Sequence, residues 1–300
     1  MQKLDRLVWA ESTCLESYGV RIGIRASNAG MLEQTVPFLP PQWNPAAPGR
    51  KLDVLYSWVV GGELRPSVRA FHIMYEGAGR IVRTLKPAEL FEAFETRLRM
   101  AVALLSRRFV FIHAGAVGWG GRAVVIPGRT FTGKSALVEA LVRAGAEYLS
   151  DEYALLDRRG RVHPFAKPIS VRVHNSIRQE PLPVADFGGR VAERPMKVGA
   201  ILSTRYQEGA KSRFRAASPG QGILDLIANA VAARWAPSRV MAATCRAAAG
   251  ATVLRGPRGE AAEAALRLLA ILSEWPIVRE ESQGGSSDGI AGNSALAAEG

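Results

Sequence analysis

The sequence contains only two cysteines, Cys14 and Cys245, and no apolar run of the roughly 20 residues that a membrane span requires. Two cysteines make neither a zinc pattern nor a disulfide framework, so we expect both to be small buried residues; a disulfide between them is the alternative. The charged N-terminus lacks the apolar core of a signal peptide. The expected location is the cytoplasm.

Acidic residues are scarce relative to basic ones. There are 27 aspartates and glutamates against 39 lysines and arginines, which leaves a net charge of +12. This balance favours anionic partners such as nucleotides or acidic peptides, although a solubilising basic surface would also explain it. No basic run is interleaved with aromatic residues, so we expect no nucleic-acid partner. We expect no membrane partner either, and a homo-oligomer is compatible with the composition.

The length of 300 residues predicts more than one lobe, because it exceeds what one hydrophobic core usually organises. Residues 1–105 are predicted to form a smaller N-terminal α/β lobe, with strands within 18–27 and 52–60 and a helix over 86–108. The main domain is predicted over residues 106–280, followed by a low-complexity, disordered tail over 281–300.

In the main domain, the apolar runs around Gly120-Gly121 predict a β-hairpin, because two glycines suit the positive φ angles of a tight turn. A two-residue turn places Trp119 opposite Arg122 and, farther along, His113 opposite Gly128. The remaining pattern predicts two strands around 158–160, a long loop over 174–196, a core strand over 197–206, helices over about 219–234, 237–249 and 259–274, and a short strand over 251–256.

A phosphate-binding pattern, G-x-x-x-x-G-K-[ST], directly follows the hairpin. Its residues are Gly128, Arg129, Thr130, Phe131, Thr132, Gly133, Lys134 and Ser135. In such a loop, backbone N–H groups point at phosphate oxygens, Lys134 reaches the β- and γ-phosphates, and the Ser135 hydroxyl binds Mg²⁺. An apolar strand precedes the motif and a helix follows it, as phosphate binding requires. ATP and Mg²⁺ are therefore the expected cofactors.

An acidic pair, Asp151-Glu152, begins 17 positions after Lys134. A short strand before the pair would bring it to the sheet edge beside the loop. Two adjacent acids can divide the work of phosphoryl transfer, one as the base for a hydroxyl and the other at Mg²⁺. The short gap favours a kinase over a motor or switch ATPase. Two solvated carboxylates paired with Arg158 or Arg159 are the alternative.

The order of these motifs resembles the HPr kinase/phosphorylase catalytic domain, and especially the HPr-kinase-related proteins. The resemblance is specific over residues 113–152, and the matching residues are His113, Gly128 to Ser135, Arg143, Gly145, Asp151 and Glu152. It implies a phosphoenolpyruvate-carboxykinase-like P-loop core with a mixed sheet. It also implies that ATP and Mg²⁺ are used to phosphorylate a serine hydroxyl.

The resemblance implies a role for each matching residue. Asp151 corresponds to the general base, Glu152 to the acid that assists the metal, and His113 to a histidine near the active site. Arg172 lies in the counterpart of the family's Glu-Ile-Arg-Gly stretch and would stabilise the transferring charge. Two features depart from the family, whose second aspartate is Glu152 here and whose downstream glutamate and glycine are missing. A core histidine and a solvated strand edge are the alternatives for His113 and Arg172.

The leading hypothesis is a kinase that phosphorylates a serine hydroxyl of a peptide or protein, or free serine. Two alternatives stay open: a small-molecule P-loop kinase of the shikimate-kinase type, and a nucleotide-binding sensor without catalysis. A mixed sheet in which the strand of His113 runs antiparallel to the loop strand would favour the first hypothesis.

Overall fold

The computed structural model describes residues 4, 7–47, 49, 51–61, 71–128, 132–172 and 179–274, with the backbone alone for 170–172 and 179–181. The architecture is mixed α/β and contains two mixed sheets, which agrees with the predicted class. The predicted tail over 281–300 lies outside the described residues. Among the described helices, none combines the length and apolar character needed to cross a bilayer.

The N-terminal sheet has six strands in the order β3-β1-β2-β4-β5-β6. Their bounds are β1 Glu11–Ser17, β2 Val20–Ala26, β3 Asn44–Pro45, β4 Val54–Val59, β5 His72–Glu76 and β6 Gly79–Thr84. Only β2 and β4 pair in parallel. A 3₁₀ helix, Glu33–Phe38, lies between β2 and β3. The sequence pattern predicted β2 and β4 but not the other strands of this sheet.

Helix α1, Pro87–Leu105, covers the N-terminal sheet. Pro87 occupies the first turn, where its missing N–H costs nothing. Leu90, Phe94 and Leu98 recur at four-residue spacing and are fully buried, so the helix presents one apolar stripe to the core. The same core cluster includes Phe111 of the next sheet. The N-terminal lobe therefore shares its hydrophobic core with the rest of the chain.

The second sheet has eight strands. Their bounds are β7 Val110–Trp119, β8 Arg122–Pro127, β9 Glu147–Ser150, β10 Tyr153–Leu156, β11 Arg161–His163, β14 Met196–Tyr206, β15 Arg215–Ala216 and β16 Thr252–Arg258. Strands β12 Ile169–Arg172 and β13 Gln179–Leu182 form a separate hairpin, followed by a 3₁₀ helix, Val184–Phe187. The helices are α2 Lys134–Arg143, α3 Pro219–Ala228, α4 Pro237–Ala248 and α5 Ala261–Leu272. Helices α2 and α5 pack on one face of this sheet, and α3 and α4 on the other.

Three strands of this sheet, β8, β14 and β16, run parallel, so their carboxyl ends meet at one edge. The hairpin partner of β8 is β7, which runs antiparallel to it. The predicted register is confirmed, because Trp119 pairs with Arg122 and the Gly128 N–H donates to the His113 carbonyl at 3.1 Å. The turn glycines have the expected positive φ values, 56° and 74°.

Three sequence expectations were wrong. The loop expected over 174–196 contains strand β13 and the 3₁₀ helix Val184–Phe187. The helix expected over 219–234 ends at Ala228, because Ala230 pairs with Ile112 and the Val231 N–H donates to the Phe111 carbonyl. Hydrogen bonds to the edge of β7 replace those of a further helical turn there. Both cysteines are free thiols, and Cys245 is exposed on α4 and not buried.

Candidate active site

The phosphate-loop motif spans the gap between β8 and α2. Strand β8 ends at Pro127, and α2 begins at Lys134, with Gly133 as its N-cap residue. Gly128 and residues 132–135 are described, whereas 129–131, the predicted Arg-Thr-Phe segment, lie outside the described residues. Helix α2 therefore follows the loop directly, and the N–H groups that open a helix have no acceptor within the helix itself, an arrangement that binds anions at helix N-termini.

Glycine is favoured at position 133 for two physical reasons. Its φ of 80° is left-handed, a region that side chains disfavour. A Cβ at this position would also meet Nη2 of Arg258, whose side chain would have to move. The second glycine of the motif therefore allows both the sharp entry into α2 and the close approach of an arginine.

Arg258 contacts the loop, but the sequence pattern did not indicate it. The predicted strand ended at Gly256, whereas β16 continues to Arg258. The side chain extends from the last position of β16 and is only 3% exposed. Its Nη2 donates to the Gly133 carbonyl at 2.8 Å and its Nη1 to the Gly259 carbonyl at 2.9 Å. Burial lowers the pKa of Arg258, and Glu260 opposes that shift. Arg258 therefore fixes the loop and adds a cation beside it.

The acidic pair reaches the same edge by a route through β7. Strand β9 pairs antiparallel with β7, with Ser150 opposite Ala116. The Ala114 N–H donates to the Glu152 carbonyl at 3.2 Å, while Ala114 pairs with Pro127 on its other side. Strand β7 thus lies between the loop strand and the strand that ends at the acids. This agrees with the expectation that the pair emerges beside the loop.

Lys134 shares one electrostatic environment with both acids. Burial lowers the pKa of Lys134, whereas the carboxylates of Asp151 and Glu152 raise it. Burial also lowers the pKa of His113, and the charge of Lys134 lowers it further, so His113 is mainly neutral at pH 7. The motif lysine, the acidic pair and the histidine are therefore close enough to act on one another.

Asp151 is nearly buried, with 8% of its surface exposed. Its backbone N–H donates to the Tyr148 hydroxyl at 3.1 Å. The single proton of that hydroxyl is shared between Asp151 Oδ1, at 3.1 Å, and the Lys167 carbonyl, at 3.0 Å. Burial raises the pKa of Tyr148, and the Asp151 charge raises it further, so the hydroxyl keeps its proton. Tyr148 therefore fixes the orientation of the Asp151 carboxylate.

Glu152 contacts the N-terminal helix. Arg99 Nη1 lies 3.1 Å from both carboxylate oxygens of Glu152, and Lys167 Nζ lies 2.7 Å from Glu95 Oε1 on the same helix. Burial raises the pKa of Glu152, and Arg99 and Lys167 partly offset the effect. Sequence reading missed Arg99, whose i,i+4 spacing from Glu95 is typical of a surface pair. The alternative partners Arg158 and Arg159 are wrong, because they follow the opposite end of β10.

The two remaining predicted residues differ in what surrounds them. The His113 ring lies 4.7 Å from the Tyr153 ring, between centroids, and its backbone N–H donates to the Asn229 carbonyl at 2.8 Å. Arg172 is the last residue of β12, paired with Gln179, and its side chain lies outside the described part of the chain. Buried Ile169 packs that hairpin into the same cluster as Leu137 of α2.

The residues predicted to bind Mg²⁺ offer the hard oxygen donors that this ion prefers. They are the Ser135 hydroxyl and the carboxylates of Asp151 and Glu152. Among the described residues, no group of three or more His, Cys, Asp or Glu side chains could hold a metal ion alone. Proteins usually bind Mg²⁺ through one or two carboxylates together with substrate phosphates and water.

A wide cleft of about 860 Å³ opens at the carboxyl ends of β8, β14 and β16, next to the loop. Four arginines line it, together with one aspartate: Arg205, Arg213, Arg215, Arg255 and Asp225. The Asp225 carboxylate accepts a hydrogen bond from Ser203 and lies 3.4 Å from Arg255. The carboxyl ends of parallel strands are where α/β sheets bind ligands, and this end is strongly cationic.

Comparison with known proteins assigns the chain to no family. No protein-family model matches the chain, and no curated protein is significantly similar to it.

Proposed function

We propose that the chain is an ATP- and Mg²⁺-dependent kinase that transfers the γ-phosphoryl group to a hydroxyl, with a serine of a peptide or protein, or free serine, as acceptor. The observation that carries the proposal is the shared environment of Lys134, Asp151 and Glu152 beside the start of α2. A phosphoryl-transfer site needs a cation at the phosphates and a carboxylate at the acceptor, and this edge offers both.

The hairpin supports an HPr-kinase-related, phosphoenolpyruvate-carboxykinase-like core for this proposal. Strand β7, which carries His113, runs antiparallel to the loop strand β8 within a mixed sheet. That topology favours the HPr-kinase-like hypothesis over a small-molecule kinase of the shikimate-kinase type. The β-rich segments after the loop favour it as well. A cytoplasmic location remains a prediction.

In the proposed reaction, Asp151 accepts the proton of the acceptor hydroxyl. The hydroxyl oxygen forms a bond to the γ-phosphorus, and the bond between the γ-phosphorus and the ADP oxygen breaks. Tyr148 holds the Asp151 carboxylate in place, since its hydroxyl contacts both the backbone and the side chain of this residue. Lys134 and the first turn of α2 bind the phosphates. Mg²⁺ held by Ser135 and the acidic pair would neutralise the charge between the β- and γ-phosphates. Arg172 is proposed to act at the same edge.

One observation favours a second candidate, a nucleotide-binding sensor that does not catalyse. Arg99 contacts both oxygens of Glu152, so this carboxylate already has a cation as its partner. A sensor would keep the loop and use the contact between Glu152 and the N-terminal helix to report nucleotide binding. ATP affinity without phosphoryl transfer distinguishes this candidate from a kinase.

The test is a transfer assay with radiolabelled ATP and Mg²⁺ across serine-containing peptides, free serine and small hydroxyl compounds. Asp151→Asn is expected to lower transfer by about 10²–10⁴-fold, because it removes the base, and to retain ATP binding, because Lys134, Ser135 and Glu152 remain. Asp186→Asn, which changes an exposed aspartate, is the matched control and should transfer at the unchanged rate.

Unchanged turnover in Asp151→Asn would remove this residue as the base. If the wild-type protein binds ATP but transfers to no acceptor at any Mg²⁺ concentration, the kinase proposal fails and the sensor is supported. If neither ATP nor ADP binds, both candidates fail.

A further inference from the structure

A second cationic site lies at the end of β10 that is remote from the phosphate loop. It is a cavity of about 350 Å³ between the end of α1, the turn after β10 and helix α4. Five arginines line it: Arg107, Arg108, Arg158, Arg239 and Arg246. We call these residues the arginine cluster. They come from three separate segments, so only the tertiary fold brings them together.

The cluster lacks a matching negative charge. Asp157 is the single acidic residue that lines the cavity among the described residues, and it is already engaged. Its carboxylate accepts hydrogen bonds from the backbone N–H groups of Arg159 and Arg161 and from Arg161 Nε, and it lies 3.0 Å from His163 Nε2. Burial opposes ionisation, but the hydrogen bonds from Arg161 and His163 dominate and lower the pKa of Asp157 to about 2. The carboxylate therefore stabilises its own turn and not the arginine cluster.

Arg239 is the least satisfied member of the cluster. Its Nε is buried and has no hydrogen-bond partner among the residues that the structure describes, which is rare for a buried donor. Burial lowers the pKa of Arg239, and the positive charges of Arg107 and Arg158 lower it further. Arg239 also lies in the first turn of α4, where the helix dipole disfavours a cation. Three independent features therefore make this arginine unfavourable unless an anion is present.

We propose that the arginine cluster is a second anion-binding site, which takes the phosphate group of a small phosphorylated molecule. Guanidinium groups bind phosphate oxygens through paired, charge-assisted hydrogen bonds, and five arginines line this cavity. The cavity volume lies at the lower end of the range for small-molecule sites. An adjoining hollow of about 430 Å³ shares Arg107, Arg108 and Arg158 and leaves room for the rest of the ligand.

This site is distinct from the phosphate loop. Asp151 and Glu152 precede β10, whereas Asp157 and Arg158 follow it. Glu152 and Asp157 lie five positions apart across β10, which separates them by roughly 16 Å at about 3.3 Å per residue. The proposal does not depend on kinase activity.

Pyrophosphate is the probe, and isothermal titration calorimetry at matched ionic strength is the measurement. The wild-type protein is expected to bind two pyrophosphate ions, one at the loop and one at the cluster. Lys134→Ala and Arg239→Gln should each retain one site, and the double variant should retain none. Arg239→Gln is expected to weaken binding at the cluster by about tenfold or more, because a charge-assisted bond is lost.

The matched control is Arg267→Gln, which removes the same charge from an exposed position on α5. It should retain both sites. If Arg239→Gln also retains both sites with unchanged affinity, the proposal is wrong. Arg158→Gln, a change in an exposed turn, repeats the test independently of any folding defect in Arg239→Gln.

Thermal unfolding adds a readout that a purely structural arginine would not show. Without anions, Arg239→Gln should raise the melting temperature, because it removes a half-buried cation that neighbouring arginines repel. Pyrophosphate bound at the cluster should raise the melting temperature of the wild type but not that of this variant. A lower melting temperature together with unchanged pyrophosphate stabilisation contradicts the proposal. If a twelve-nucleotide oligothymidine binds the wild type more tightly than pyrophosphate does, and Arg239→Gln does not bind it, the cluster is a nucleic-acid site and the proposal is wrong.

Discussion

At the end of β10 near the phosphate loop, the cations meet carboxylates, whereas at the other end five arginines share one aspartate that is already engaged. Arg99 contacts Glu152 through both oxygens, and Lys167 lies 2.7 Å from Glu95. Arg239, in contrast, is surrounded by like charges. Both regions are basic, so the difference lies in how each positive charge is compensated.

The two regions differ in where the balancing negative charge comes from. Around the loop, the carboxylates of the protein orient the cations before a ligand arrives, which is the preorganisation that phosphoryl transfer needs. At the arginine cluster, the opposing charge must come from outside, because unpaired cations close together destabilise the fold. The first region fits the proposed phosphoryl transfer, and the second fits the proposed anion binding.

The largest expected effect is at the loop. Lys134→Met removes the cation that faces Asp151 and Glu152, and we expect phosphoryl transfer to fall about 10²–10³-fold or more. The assay is the same γ-phosphoryl transfer to the best acceptor found. Lys197→Met, at an exposed lysine of β14, is the control, and wild-type transfer by Lys134→Met would exclude this lysine from the mechanism.

The free energy of unfolding is expected to change with pH because of Asp157, which lies beside the arginine cluster. The folded pKa of Asp157, about 2, lies below its ordinary value of 3.8, so its stabilisation is present above pH 4 and is lost as the pH falls towards 2. Asp157→Asn should therefore lower the free energy of unfolding by about 1–2 kcal/mol at pH 7, allowing for solvent screening. Urea unfolding from pH 7 to pH 2 measures this, and a difference from wild type that stays constant with pH would contradict it.

Double-mutant cycles can compare the two regions directly. The cycle of Glu152→Gln with Arg99→Gln should give a favourable coupling free energy, and that of Arg107→Gln with Arg239→Gln an unfavourable one, each roughly 0.5–1 kcal/mol. The reason is the sign of the charges: the first pair attracts and the second repels. Urea unfolding without phosphate or Mg²⁺ is the measurement. Coupling free energies of the same sign would contradict the difference in charge compensation between the two regions.

The smallest effect is expected at Arg143, which matches an arginine of the HPr-kinase-related pattern. Its Nε lies 2.9 Å from Glu139 Oε1 one helical turn earlier, and its guanidinium lies 4.7 Å from the Phe187 ring centre. Because the side chain is more than half exposed, Arg143→Gln should cost about 0.5 kcal/mol in unfolding and leave transfer unchanged. Loss of transfer would show that this arginine acts at the site.

Local features of the fold were predictable from the sequence. Gly120-Gly121 determined the register that brings Gly128 beside His113, and Pro87 marked the start of α1. Each depends on backbone preferences of residues adjacent in sequence. The prediction that α3 continues past Ala228 was wrong because contacts distant in sequence decide its end. Pairing with β7 replaces the last helical turn.

Within the candidate site, the sequence was sufficient for the motif and the acidic pair but not for their partners. Arg258 contacts Gly133 from 125 positions away, and Arg99 contacts Glu152 from 53 positions away. Neither arginine belongs to a local motif. Tyr148 is close to Asp151 in sequence, yet its role depends on the bend that brings its hydroxyl back to the following residues.

From the sequence alone, the strand before the glycine motif, the helix after it and the order of the charged residues could be predicted, because each depends on residues adjacent in the chain. Only the tertiary structure decided which charges are paired. Coulomb interactions depend on separation and burial in space, and neither follows from spacing along the chain. Lys134 therefore faces two carboxylates, whereas Arg239 faces two arginines.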